Sequence, residues 1–240
     1  MVVRRNTYSR SYRDFERSLK RASKLRTIES GRYNDPPPPR QMVAVEALRG
    51  GAVVLMVAAF ERYLRDAFEE YTEKIAHRAE TTGHPKLDGA LADSNDFNFV
   101  NWVIRDSRQR KPTKLSELRR AARLIAERHF IPESFSRTRA NPGPDTVKEL
   151  FKDFGVADAF SPIEGNLTAH HPSPFPTGFA RDQLEAIIGW RNHIAHGGSA
   201  LDIARADLEG WVAFMGALGR AVDNTLRDRT LAVLGTLKIR

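Results

Sequence analysis

The chain has 240 residues, 41% of them hydrophobic, which is enough for one large domain with a continuous core. It contains no cysteine, so disulfides, thiolate metal sites and a cysteine nucleophile are excluded. The net charge of +8 is unevenly spread: residues 1–40 hold eleven Lys/Arg against four Asp/Glu and residues 105–128 hold nine against three, leaving an acidic remainder. Two basic segments on an acidic body suit a phosphate-backbone ligand, because each neutralised phosphate releases counterions, although a solvated face has the same composition.

In chain order, Tyr12, Phe15, Leu19, Ala22 and Leu25 recur at helical spacing and predict a basic first helix within residues 1–35. Pro36 to Pro39 form a linker that forbids helix, and a core bundle is expected over residues 40–240 of the same single domain. From Gln41 to about Arg78 the pattern is helical, with Gly50-Gly51 marking a kink or a close approach of another helix. The part after the glycines is apolar almost all round and should be the long central helix. Its longest unbroken apolar run, Ala52 to Phe60, has nine residues. That is short of the ~20 that span a bilayer. The N-terminal Met-Val-Val-Arg-Arg-Asn lacks the apolar core of a signal peptide, so a cytoplasmic protein without membrane contact is expected.

Residues 83–112 mix breakers with aromatics and read as an irregular insertion, with a short helix around Phe97 to Arg105. Pro112 to His129 predicts a helix with Leu115, Leu118, Ala122 and Ile125 inward and Arg119, Arg120 and Arg123 outward. Asp145 to Phe154 predicts another that stops at Gly155. Residues 161–178 carry four prolines and read as a second loop insertion within 155–180. Asp207 to Arg227 closes the chain with a core helix through Leu208, Trp211, Met215, Leu218, Val222 and Leu226. No strand pattern is present, and the fold class is all-α.

Between the second insertion and the last helix runs Asp182 to Gly198, an amphipathic helix ending on two glycines where its polar residues cluster. Leu184, Ile187, Ile188 and Ala195 form its apolar stripe, and Arg191 falls in the middle of that stripe, where a guanidinium needs a partner. Asn192 and His196 are four apart and share a ridge, while His193 points away from the core. Gly197-Gly198 should close the helix, placing His196 in its last turn or at its cap. Glu61 is the corresponding anomaly of the central helix, on a face with Val54, Val57, Leu64 and Phe68. Arg191 and Arg65 are its two candidate partners.

Arg191, a polar Asn192, three further residues and then His196 resemble the R-polar-x3-H signature of the HEPN superfamily of all-helical domains, many of them ribonucleases. The helix around Val53 to Leu64 looks like the long second helix of the RiboL-PSP type. The resemblance implies a HEPN-like bundle with a long central helix and two irregular insertions. It also implies a metal-independent endoribonuclease, as in toxins and phage-defence effectors, that acts as a homodimer with two motifs facing each other. A cognate antitoxin or regulatory partner is compatible with such a setting.

The residue types fit that chemistry. RNA carries its own nucleophile, the 2′-hydroxyl, so cleavage needs one group that exchanges protons near neutral pH and one cation facing the phosphoryl oxygens. His196 suits the first and Arg191, with its planar fork, the second; Asn192 would orient one of them. Glu61 and His193 are supporting candidates, and Arg17, Arg21, Arg119, Arg120 and Arg123 are the RNA-binding candidates. No cofactor is implied. A metal set built from His193, His196 and the loop pair His170-His171 lacks an HExxH pattern. A non-catalytic RNA-binding or partner-binding helical module is the alternative, with Arg191 then serving as a buried ion-pair partner and His196 as a cap.

Overall fold

A computed structural model describes residues 8–82, 96–97, 99–101, 103–104, 111–127, 142–169 and 176–236. Seven helices follow in order: α1 (Arg10–Arg32), α2 (Pro39–Thr82), α3 (Lys111–Ala126), α4 (Pro144–Asp153), α5 (Phe160–Thr168), α6 (Phe179–Ala195) and α7 (Arg205–Thr236). Residues 96, 97, 99–101, 103 and 104 are also helical, so the predicted short helix is present, while Arg105 lies outside the described residues. Among the described residues there is no strand, and the protein is all-α.

Helix α2 is the hub. It opens on Pro39, the last proline of the linker, because the first helical position needs no N–H and suits a φ near −65°. It then runs without a break to Thr82, packing against α1, α6 and α7. Gly50-Gly51 marks close approach: a Cβ on Gly50 would stand 3.4 Å from Ile194 Cγ2, and one on Gly51 3.3 Å from Leu25 Cδ1. By length and composition alone the Pro39–Arg78 segment could cross a membrane. Its apolar character has another use here, since Met56, Phe60, Tyr63, Leu64 and Phe68 are buried in the core that α2 forms with α1, α4, α5, α6 and α7.

The first helix is part of that core and not an appendage. Phe15 stacks on Tyr63 with centroids 4.9 Å apart, and Tyr12, Leu19 and Ala22 are buried beside it. Carboxylates on two other helices hold its N-terminus. Glu70 of α2 accepts from the N–H of Arg10 at 3.2 Å and of Ser11 at 2.9 Å, and Asp223 of α7 accepts from the N–H of Ser9 at 3.1 Å. Orphan N–H groups and the positive end of the helix favour such partners.

Two expectations are corrected. Residues 161–178 are not one loop, because α5 occupies Phe160–Thr168. Pro162 lies in its first turn, where no intrahelical N–H is required, and Asp158 accepts from the N–H of Phe160 at 3.2 Å. Phe160, Ile163 and Leu167 form the buried row. In α3 the buried face is rotated from the predicted one: Ala121 is enclosed with Phe99 and Val103, while Leu115 is 55% exposed and Ala122 faces solvent. The cause is that α3 packs in a separate small cluster with Phe99, Val100 and Val103, not on the main core.

Where α1 ends and α2 begins, four charges meet. Arg49 is 2% exposed and Glu29 0%. Arg49 donates from Nε and Nη2 to Glu29 Oε1 at 3.1 and 2.8 Å, and from Nη2 to Asp35 Oδ1 at 2.9 Å. Its Nη1 donates to the carbonyls of Leu201 and Ile203. Arg205 completes the group, donating from Nε to Glu29 Oε2 at 2.9 Å and from Nη2 to the carbonyl of Tyr33 at 3.0 Å. Glu29→Gln would leave two guanidiniums with Asp35 as their only carboxylate, and an uncompensated buried charge of this kind costs about 3 kcal/mol. Chemical denaturation should show a loss of that size, whereas breaking the exposed Arg62–Asp66 pair should change stability by less than about 1 kcal/mol.

A second expected outcome concerns acid. Burial works against the Glu70 carboxylate, but the Lys74 ammonium and the N–H and hydroxyl of Ser11 outweigh it and lower its pKa from 4.5 to about 2. A folded value below the unfolded one gives a stabilisation that is complete above pH 4.5 and is lost as pH falls through about 2. Asp223 acts in the opposite sense, because burial pushes its carboxyl up despite its hydrogen bonds from Ser9. Denaturant melts across this range should show a flatter acid limb for Glu70→Gln than for the parent chain.

Candidate functional site

Helix α6 is anchored at both ends. At its start Glu164 of α5 accepts from the N–H groups of Gly178 and Ala180, each at 3.1 Å, satisfying donors that the helix leaves orphaned. Ala180, Leu184, Ile187 and Ile188 then face the core. At its end Gly198 N–H donates to the His193 carbonyl at 2.9 Å and Gly197 N–H to the Ile194 carbonyl at 3.1 Å. With Gly197 at φ 86° this is a Schellman closure, which puts His196 at the C-cap.

The polar residues take distinct places around that cap. Arg191 continues the buried row of α6 but is half-buried, since the row leaves the core there, and its Nη1 donates to Asn192 Oδ1 at 3.1 Å. Asn192 therefore orients the guanidinium. His196 is exposed, and its imidazole has no hydrogen-bond partner among the described residues. His193 is exposed too, with its ring edge-on to Trp190 at 5.6 Å and lying over Gly198, where any Cβ would overlap it. A side chain at Gly198 would thus have to swing the exposed His193 ring aside, whereas Gly197 is required for its dihedral. The chain then turns under α2, with Ala200 against Gly50 and the Leu201 and Ile203 carbonyls held by Arg49. The buried charge group therefore docks the segment that follows the motif.

The proposed pairing of Glu61 does not occur. Glu61 makes no ion pair within 4 Å with Arg191 or Arg65, and Arg65 lies 3.8 Å from Asp66 instead. Two physical reasons account for this. Ile194, one turn beyond Arg191, sits against Gly50, which is about 16 Å of helix rise from Glu61. Around the axis, Glu61 stands at the edge of the buried face, whose centre runs through Phe60 and Tyr71 roughly 90° away. There its carboxylate reaches solvent and needs no partner.

The remaining candidates are dispersed. Arg17 and Arg21 are on the exposed face of α1, Arg17 paired with Asp14 at 2.8 Å. Arg119, Arg120 and Arg123 are exposed on α3, Arg120 lying 3.4 Å from Glu117 and over the Phe99 ring. No three His, Asp or Glu side chains among the described residues group closely enough to hold a metal ion, and His170 and His171 lie outside those residues. Glu29, Arg49 and Glu164, which position the motif helix and the loop after it, were not singled out in the sequence. A signal was there for the first two, since Glu29 lies seven residues after Ala22 on the apolar row of α1 and Arg49 four after Val45 on that of α2.

The RiboL-PSP-HEPN family model matches residues 16–228, from the first turns of α1 to the last turns of α7. The chain belongs to the RiboL-PSP-HEPN family. No curated protein and no solved structure is significantly similar to it. Within this HEPN fold the Arg191–His196 segment is the C-terminal turn of α6, and family membership points to RNA-related chemistry.

Two measurements check the geometry. Gly197→Ala places a Cβ in the left-handed region and should cost about 1 to 2 kcal/mol in thermal or chemical denaturation. Glu61→Gln and Arg191→Gln should be additive within about 0.5 kcal/mol in a double-mutant cycle, as expected for residues that share no contact.

Proposed function

We propose that this HEPN domain is a metal-independent endoribonuclease acting in the cytoplasm as a toxin or phage-defence effector. The observation that carries the reading is the arrangement at the end of α6, where an exposed imidazole with no hydrogen-bond partner among the described residues follows about one turn after a guanidinium held by its neighbour's amide. His196 would take the proton of the ribose 2′-hydroxyl as that oxygen attacks the adjacent phosphorus. The P–O5′ bond breaks, and the products carry a 2′,3′-cyclic phosphate and a 5′-hydroxyl once the leaving oxygen is protonated. Arg191 would neutralise charge gathering on the phosphoryl oxygens, a task for which its fork is better shaped than an ammonium.

A second copy of the chain would supply the second imidazole that a base and an acid together require. Support for a homodimer comes from the surface beside the motif. Val43 is 79% exposed, Val54 and Leu55 are exposed further along α2, and Gly50 between them touches Ile194 and Ala200. This apolar strip adjoins the motif end, and a two-fold contact over it would bring two motifs together and shield them from water. A cognate antitoxin or regulatory partner would bind the same protein. The exposed arginines of α1 and α3 would contribute salt-sensitive affinity for RNA.

Incubation of the purified chain with RNA, followed by end mapping, tests the chemistry: cleavage should persist in EDTA and leave 5′-hydroxyl ends. His196→Ala should reduce the rate by at least about 100-fold, with RNA affinity by fluorescence anisotropy nearly unchanged. Arg191→Lys should also lose most activity. If the parent chain binds RNA without cutting it, the domain is a non-catalytic RNA-binding module; if it does neither, a partner-binding one.

A further inference from the structure

At the opposite end of α6 from the motif lies a half-open cavity of about 510 Å³, bounded by α1, α7, the end of α5 and the first residue of α6. Its volume falls in the range of sites that enclose small molecules, roughly 300 to 1,000 Å³. The walls are apolar: Leu19 from α1, Leu167 from α5, Phe179 from α6, and Val212 and Phe214 from α7, with the Phe179 and Phe214 rings edge-to-face at 5.8 Å.

Of the polar lining, Tyr12 and Glu16 gather at one guanidinium, that of Arg220. Arg220 uses Nε toward the Tyr12 hydroxyl at 3.5 Å and lies over the Tyr8 ring, and its two terminal nitrogens have no hydrogen-bond partner among the described residues. The Tyr12 hydroxyl donates to Glu16 Oε1 at 3.0 Å, and burial pushes its pKa up to about 12, so it stays neutral. Lys20, also in the lining, makes no ion pair among the described residues, so the described lining holds two cations against the one carboxylate of Glu16. A planar fork with free donors beside an apolar recess matches a ligand with a carboxylate at one end and a hydrocarbon body behind it.

We propose that this cavity binds a small organic monocarboxylate with an acyl or aryl body, its carboxylate on Arg220 and its body between Leu19, Phe179 and Phe214. The site is separate from the motif, and its occupancy does not depend on the nuclease reading. Isothermal titration of the full chain with decanoate, and with 1-decanol as its neutral counterpart, tests it. Decanoate should bind saturably with one site per chain, and roughly tenfold more tightly than decanol. Arg220→Gln should erase that preference. Ala217→Trp, which fills the recess from a solvent-exposed position of its lining, should abolish binding of both while the circular dichroism spectrum and melting temperature stay close to those of the parent. Absence of saturable decanoate binding overturns the proposal. So does binding that Ala217→Trp leaves intact, which would place the probe on the exposed strip of α2, and so does equal affinity for the acid and the alcohol.

Discussion

The buried contact between Glu29 and Arg49, with Asp35 and Arg205 at its edge, is the constraint on which the arrangement around the motif depends. Two carboxylates and two guanidiniums sum to zero charge, and all five N–H donors of Arg49 have acceptors: Glu29 twice, Asp35, and the carbonyls of Leu201 and Ile203. Such a group is expensive to desolvate and expensive to break, so its value lies less in net stability than in specifying one arrangement. It ties together the end of α1, the proline linker, α2 and the segment between α6 and α7. Because that segment is held, Ala200 and Ile194 fall against Gly50 and the motif end of α6 has a fixed register on the central helix.

The candidate site shows how little side-chain machinery a helix end needs. A Schellman closure exposes the cap residue, so His196 is presented to solvent while its backbone N–H remains hydrogen-bonded. Arg191 sits where the apolar row of α6 runs out of core. A guanidinium is suited to that border, because its stem packs on apolar surface while its head stays accessible. The Asn192 amide then limits the directions in which the fork can point.

Much of this was legible from spacing alone. The helical rows of α1, α2, α4, α6 and α7, the closing glycines of α6 and the exposure of His196 follow from local rules of periodicity and capping, which act over one or two turns. What was misread depended on partners distant in sequence. Pro162 and Gly165 argue locally against helix, yet Phe160, Ile163 and Leu167 pack into the core and override them. Glu61 looked buried on a helical wheel, but which arc of α2 is covered depends on where α1, α6 and α7 lie. Glu29, Arg49 and Glu164 escaped notice because their partners lie 20 residues away for the first pair and 14 to 16 for the third.

The grip of Glu164 on the first turn of α6 has a mechanical side. A helix changes length only by breaking its own hydrogen bonds, so α6, clamped at Gly178 and closed at Gly197, is a strut about 25 Å long. Glu164 belongs to α5, whose Leu167 and Asn166 line the cavity that Phe179 also walls. The cavity wall and the first turn of this strut are therefore joined through one carboxylate, while its far end, carrying Arg191 and His196, is held on α2 where Ile194 packs at Gly50.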